Sequence, residues 1–359
     1  MTDPRDSLRA GARPHAVTLF SGGLDSALAV LLLLRQNIEV TALTFMTSFG
    51  CDLSDRSSCG HNPFPAASRF GFRVKLMHLG QDYVDMVRHP RYGHGKNMNP
   101  CVDCRIMMLS QAKAYMEMAG ADFVATGEVV GQRPFSQVKT KLALTERESG
   151  LEGLLLRPLS ALLLPPTLPE QRGWVDRSRL MGILGRSRKP QMELARELGL
   201  EDYPNPASGC LLTDPAYSAR LRDLFSHCEF VDSSDLNLLR AGRQFRLSPR
   251  ARAVVGRHEA DNTRIESQVK YDDVVLEVPE GGSPITLLRG EVTAQDVRVA
   301  AEITARYSSA RLQPLVQVEV RSGGSVETLA VVPASEDKCA RYRITAERPE
   351  GVPLSHQAE

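Results

Sequence analysis

The chain has 359 residues, with 44 Lys and Arg against 43 Asp and Glu, seven Cys and 42% hydrophobic residues. That length suggests two or three domains with enough chain to bury real cores, and the composition excludes a disordered or uniformly basic protein. A formal net charge of +1 still leaves room for a local basic patch offset by acids elsewhere.

In chain order, residues 16–20 (AVTLF) read as a buried strand running into the turn Ser21-Gly22-Gly23, and 26–36 as a strongly apolar helix. A strand is predicted over 38–45, a loop over 46–65, a short helix over 65–70 and a strand over 73–79. The stretch 81–100, rich in His, Arg, Gly and Asn, reads mostly as loop; a helix over 101–119 and a strand over 122–126 follow. Alternating strands and helices predict a parallel α/β sheet with crossover helices. Beyond it, 154–164 is expected to add a strand, 164–169 is a Pro-rich loop, 177–200 holds two helical pieces, and 203–214 is a loop. From about residue 230 the pattern changes to short β-like runs (253–255, 273–278, 315–320, 328–332), Gly turns and a helix over 293–307. The expected architecture is a doubly wound, mostly parallel α/β domain over 1–225 and a smaller α+β domain over 226–359.

No apolar run approaches the roughly 18 residues of a spanning helix. The opening MTDPRDSLRA lacks the apolar stretch of a secretory signal. A cytoplasmic location without a membrane partner is expected, and in that compartment thiols stay reduced. The seven cysteines then need burial, metal binding or catalysis as their explanation.

The strongest motif is Ser21-Gly22-Gly23-Leu24-Asp25-Ser26, between a strand and a helix. Two glycines let the backbone turn tightly and approach a ligand, while the helix presents free N–H groups and a positive dipole end to an anion. The competing explanation is an ordinary capping turn in which Ser and Asp satisfy those N–H groups. The Gly-Lys-Ser/Thr ending of a Walker loop and the dinucleotide fingerprint are both absent. SGGLDS after an apolar strand resembles the PP-loop of the ATP pyrophosphatases, an adenine nucleotide alpha hydrolase-like fold whose members cleave ATP between its α- and β-phosphates. The resemblance implies that Ser21, Gly22, Gly23 and Ser26 hold pyrophosphate and that Asp25 helps place Mg²⁺.

Two further stretches resemble the tRNA thiouridine synthases. Asn99-Pro100-Cys101-Val102-Asp103-Cys104 is followed by Gly120-Ala121-Asp122-Phe123-Val124-Ala125-Thr126-Gly127, and the resemblance places Thr126 and Gly127 at the nucleotide. The run 189–200 (KPQMELARELGL) and Ser208-Gly209-Cys210 are similar to the helix and second functional cysteine of tRNA 2-thiouridylases. The familiar ATGH ending is here Ala125-Thr126-Gly127-Glu128, and Gly131 to Ser136 (GQRPFS) gives the segment a form of its own. Residues 240 to about 332 resemble the RNA-binding module of NFACT proteins.

Cys101, Cys104 and Cys210 are the candidate catalytic and metal-ligating thiols. A helix N-terminus favours the thiolate of a CxxC pair. Two chemistries stay open: three thiolates holding a [4Fe–4S] cluster with one open iron, or one CxxC cysteine carrying a persulfide that Cys210 resolves. The presence of both CxxC cysteines favours the cluster, and zinc lacks an obvious fourth ligand. Cys51 and Cys59, in a loop with His61, fit no strong site, and Cys228 and Cys339 read as small apolar residues. His89 and His94 carry no metal spacing.

Two arginine-rich runs, Arg172 to Lys189 and Arg240 to Arg257, suggest phosphate binding. The expected activity is ATP-dependent tRNA thiolation giving a thiouridine, AMP and pyrophosphate. ATP, Mg²⁺ and a cluster are the implied cofactors, and tRNA and a sulfur donor (sulfide or a cysteine desulfurase) the implied partners. The oligomeric state is open, a homodimer among the options. The rivals are a PP-loop enzyme acting on a small molecule and a non-catalytic RNA-binding protein that responds to ATP.

Overall fold

His15–Leu19 is buried along its whole length, as a parallel strand covered on both faces must be. It is the middle strand of the first of two units, Met1–Thr213 and Asp214–Glu359, in a computed structural model that describes residues 13–49, 62–201, 203, 210–279 and 281–346. The first unit runs β1 (His15–Leu19), α1 (Leu24–Leu34), β2 (Glu39–Met46), α2 (Phe64–Phe70), β3 (Arg73–His78), α3 (Gln81–Arg88) and α4 (Cys101–Ala119). It continues with β4 (Phe123–Thr126), α5 (Lys139–Glu148), β5 (Leu155–Leu156), α6 (Leu168–Gln171) and α7 (Lys189–Glu197).

The five strands are all parallel, in the order β3-β2-β1-β4-β5. This is the expected α/β sheet. Its connections reverse direction between β1 and β4, and a sheet of this kind binds ligands outside the carboxyl ends of the strands at that point. α1 is apolar almost all round, which suits a helix with neighbours on every side. Its Leu28, Val30 and Leu33 share one core with Ala16, Phe123, Leu156 and Leu194.

Four local expectations need correction. The stretch 81–100, expected as loop, begins with the helix α3: Tyr83, Val84 and Val87 bury one stripe of an otherwise polar sequence. α5 had no predicted counterpart, because only Leu142 and Thr145 of its ten residues are buried. The strand expected over 154–164 shortens to β5, since the chain turns into a 3₁₀ helix at Ala161–Leu163. Of the two helical pieces expected over 177–200, the first is a single 3₁₀ turn, Arg177–Arg179, capped by Asp176.

The second unit comprises α8 (Pro215–His227), α9 (Ser233–Leu238), β6 (Arg243–Ser248), β7 (Ala251–Val255), α10 (Glu259–Glu266) and β8 (Val274–Glu277). It ends with β9 (Thr286–Gly290), α11 (Ala294–Tyr307), β10 (Val316–Ser322), β11 (Ser325–Val331) and α12 (Glu336–Tyr342). Its strands form an antiparallel sheet ordered β11-β10-β8-β9-β7-β6. Val299, Ala300 and Ile303 of α11 pack with Phe245, Leu276, Leu288 and Val318 from the strands. This is an α+β unit. The sequence break at 225/226 falls inside α8, a helix that groups with the second unit. Among the described residues, no helix is long and apolar enough to cross a membrane.

Candidate nucleotide and sulfur site

β1 ends at Leu19 and the chain turns through Ser21–Gly23 into α1. Gly22 has φ 75°, a left-handed conformation that costs glycine nothing. Gly23 is the N-cap of α1, and no side chain caps it. An ordinary capping turn would place a hydroxyl or carboxylate on the first free N–H groups. Here the Ser26 hydroxyl donates to the Gly23 carbonyl at 2.8 Å, and the Ser21 hydroxyl lies 3.3 Å from the Ser26 hydroxyl. The helix start is left facing the cavity, the arrangement that binds anions.

β4 closes the other side. A Cβ on Gly127 would stand 2.5 Å from the Asp25 carbonyl carbon and oxygen, so only glycine lets this strand end meet the loop. Between them opens a cavity of about 250 Å³. Ser21, Gly23, Asp25, Ser26 and Gly127 line it, and so do Cys101, Cys104 and Cys210. Two expected nucleotide contacts do not. Gly22 serves the turn, and Thr126, 1% exposed, donates its hydroxyl to Glu128 at 3.1 Å. The cavity's apolar side is built by Phe20, Leu43 and Phe45 near the ends of β1 and β2, a surface suited to a flat heterocycle.

Asp25 has two differently occupied oxygens. Oδ2 accepts from Gln132 Nε2 at 3.1 Å and pairs with Arg188. Oδ1 is buried and finds no partner among the described residues. A buried carboxylate oxygen left without a donor is the atom a cation would take. The donor chemistry therefore suits Mg²⁺ carried in with a nucleotide.

The thiols come from two segments. Cys101 and Cys104 occupy the first turn of α4, and Cys210 immediately precedes the 3₁₀ segment Leu211–Thr213. Backbone and side-chain bonds hold the two segments together: Met98 N–H donates to Leu212 O at 3.1 Å, and Asn97 Nδ2 to Thr213 O at 2.7 Å. Three thiols lining one cavity are a donor set chemically suited to iron and sulfide. As placed, Cys101 Sγ donates to Asn99 Oδ1 at 3.1 Å and Cys104 Sγ is 3.2 Å from the Tyr83 hydroxyl. Among the described residues, no three His, Cys, Asp or Glu side chains converge as a metal site. Of the other cysteines, Cys339 is fully buried in the second core, where burial pushes its thiol up, and Cys228 is half-buried. Cys51, Cys59 and His61 lie outside the described residues. His94 Nε2 is engaged with the Val87 carbonyl at 2.7 Å.

Sequence reasoning left several of the site's residues unassigned: Arg105, Glu128, Gln132, Arg133 and Gln137 all line the cavity. Glu128 replaces the familiar histidine with a buried carboxylate, held by Arg105 at 3.0 Å and Arg157 at 3.2 Å. Burial alone would raise its pKa, but the two guanidiniums outweigh that and hold it below the usual carboxylate range. Arg157 also donates to Glu146 at 2.9 Å and to the Leu142 carbonyl at 3.0 Å, so Glu128 fastens α4 and α5 behind β4. The signal was the departure from ATGH itself, beside an arginine one turn into α4.

The two arginine-rich runs differ from expectation. In the second unit, Arg246 pairs with Asp223 at 2.6 Å, Arg257 with Asp261 at 2.6 Å, Arg252 with Asp235 and Arg250 with Glu291. Arg243 stacks on Tyr307, 4.3 Å from its centroid. That run is mostly consumed by the fold. In the first unit, Arg177 is tied to Glu170 and two carbonyls, while Arg188 reaches the cavity.

A glycine loop at the switch point of a parallel sheet, with an uncapped helix behind it, defines a nucleotide-binding α/β unit. Similarity to known proteins narrows the class. Residues 11–162 match the family described as thiamine biosynthesis protein (ThiI), and residues 242–343 match the family described as NFACT protein RNA binding domain. The chain is 33% identical over 135 residues to the bifunctional protein NifU/MnmA of Rubrobacter xylanophilus, covering 35% of this chain and 28% of the relative. It is 30% identical over 119 residues to the tRNA-specific 2-thiouridylase MnmA of Syntrophotalea carbinolica, covering 32% and 34%. The chain thus spans about a third or less of the length of these curated relatives. A solved 4-thiouridine synthetase–RNA complex with bound ATP is 19% identical, covering 63% of this chain and 52% of that one at a TM-score of 0.33. The first unit is similar to PP-loop tRNA thiouridine synthases, and the second is similar, over residues 242–343, to the NFACT protein RNA binding domain.

Proposed function

We propose that the protein is an ATP-dependent tRNA sulfurtransferase that converts a uridine to a thiouridine, releasing AMP and pyrophosphate. The observation that carries this reading is the single cavity lined by both the Ser21–Ser26 loop and the three cysteines. ATP lies with its phosphates on the free N–H groups of α1 and its base against the apolar side. Asp25 Oδ1 would hold Mg²⁺. The uridine carbonyl oxygen attacks the α-phosphorus, pyrophosphate leaves, and the helix N-terminus stabilises the charge that builds on the phosphate oxygens. Sulfur then replaces the adenylated oxygen and AMP departs. Cys101, Cys104 and Cys210 would hold a [4Fe–4S] cluster, which supplies a binding position for sulfide. The partners are tRNA and a sulfur donor, in the cytoplasm.

Nucleoside mass spectrometry of tRNA from a deletion strain tests the reading. Loss of one thionucleoside supports it, and an unchanged set of thionucleosides overturns it. Product analysis adds a second check, because ADP and phosphate would exclude the adenylation step. Iron and acid-labile sulfide in anaerobically purified protein test the cluster. Full activity without either assigns the sulfur transfer to one cysteine of the CxxC, carrying a persulfide that Cys210 resolves.

A further inference from the structure

Two loops from distant parts of the first unit, which carry the cavity-lining residues Arg133 and Arg188, lie side by side. Val130 pairs with Leu184 in a parallel bridge, and Gly185 N–H donates to the Val130 carbonyl at 2.8 Å. Gly131, at φ 76°, turns the first loop at this junction, and a Cβ there would meet Gly185 and Leu184 at 3.5–3.6 Å. Gly131 N–H donates to the Gln137 carbonyl at 2.7 Å, and Arg133 O accepts from Gln137 N–H at 2.8 Å, so the GQRPFSQ loop is closed on itself. This braced pair of loops carries Phe135, 67% exposed, and Leu184, 63% exposed. Arg133 lines the cavity and is exposed, Arg186 is exposed beside Leu184, and no ion pair to an acid is seen for either among the described residues.

An exposed aromatic ring on a closed loop whose Arg133 lines the cavity, bridged to a second loop that carries the exposed Arg186, has the parts of a stacking platform with phosphate anchors. The geometry points to Phe135 as the ring on which a base of single-stranded RNA stacks, with Arg133 and Arg186 on the neighbouring phosphates. This rests on the proposed action on RNA and deepens it by naming the surface that delivers the strand. Every base has a face that can stack, so the platform admits RNA without reading its sequence. The arginines make binding weaken with salt. A protein partner would want a broader apolar patch than Phe135 and Leu184 provide, and it would not need the cations beside them.

The test uses the full chain and a uridine-rich RNA oligonucleotide carrying 5-bromouridine, together with unfractionated tRNA. Photocrosslinking followed by peptide mass spectrometry is expected to mark Phe135. Phe135→Leu is expected to remove that crosslink and weaken oligonucleotide binding about tenfold, within the range of one lost base stack. Phe135→Trp is expected to restore binding, and ATP affinity stays the same in both. If wild type and Phe135→Leu bind the oligonucleotide alike and crosslink elsewhere, the platform is overturned while the RNA reading stands. If wild-type protein binds neither RNA at low salt, the proposed function fails and the platform with it. Loss of binding to a cysteine desulfurase in Phe135→Leu, with RNA binding intact, would reassign the surface to a protein and overturn the proposal.

Discussion

The arginine-rich runs 172–189 and 240–257 look alike as sequence and are used to different degrees by the fold. In the second unit, the acids that neutralise the run come from α8, α9, α10 and the turn after β9, none of which lies within it. In the first unit, Arg186 is exposed with no ion pair seen among the described residues, and Arg188 lines the cavity, where it pairs with Asp25. For Arg246 and Arg252 the difference is burial, whereas Arg250 is paired at the surface. An arginine carried on a strand that becomes a sheet interior must be paired, because an isolated buried charge costs several kcal/mol (roughly); one on a surface loop pays nothing for staying free. A cationic run therefore signals nucleic acid only once its burial is known.

The sharpest break in that comparison is Arg252, 4% exposed along its side chain and paired with Asp235. Arg252→Ala is expected to destabilise the second unit by about 3–5 kcal/mol, read as a lower denaturant midpoint. Arg289 also pairs with Asp235, at 2.9 Å, and holds part of that charge, which places the effect toward the lower end. Unfolding indistinguishable from wild type would show that the pair is not structural.

Second in size is Asp25, where on the proposed function charge serves chemistry rather than packing. Asp25→Asn is expected to lower turnover about a hundredfold while leaving the unfolding midpoint within experimental error. Arg188→Ala should move stability little, since both partners keep partial exposure and solvent screens them. A large stability loss in Asp25→Asn would make the residue part of the scaffold instead.

How far these roles could be read beforehand depends on the distance over which each is decided. The Ser21–Ser26 loop was legible because strand, turn and helix are contiguous, and the alternation of elements was enough to imply the parallel sheet. The CxxC was legible as the start of α4. The pairing of Arg246 with Asp223 was not, because nothing local tells which acid will lie opposite a strand. α3 was hidden by its polar residues, though its buried stripe Tyr83, Val84 and Val87 was present in the sequence. Glu128 was noticed only as a departure from ATGH, since the arginine Arg157 that binds it lies beyond α5.

Glu128 gives a pH-dependent prediction of intermediate size. Its folded pKa is depressed below the ordinary 4.5, so its contribution is fully present above that value and is lost as pH falls through the lower folded value. Glu128→Gln leaves Arg105 and Arg157 without their shared carboxylate. The variant should be less stable than wild type at neutral pH, and the gap should narrow on acidification below 4.5. A gap of constant size down to pH about 3 would mean that this carboxylate does not titrate with unfolding.

The smallest effect is expected at Arg250, and it bears most directly on the comparison. Its pair with Glu291 is about three-quarters exposed on both sides (72% and 73%), and such pairs contribute about 0–1 kcal/mol. Arg250→Ala should therefore unfold like wild type. If the 240–257 run is structural, the change should also leave the salt dependence of RNA binding untouched. Arg133→Ala, by contrast, should reduce the slope of log affinity against log salt by about one, the signature of one lost phosphate contact. Should Arg250→Ala reduce the slope by the same amount, the pair with Glu291 must open for RNA, and the exposed end of the second run would join the first as a phosphate-binding surface.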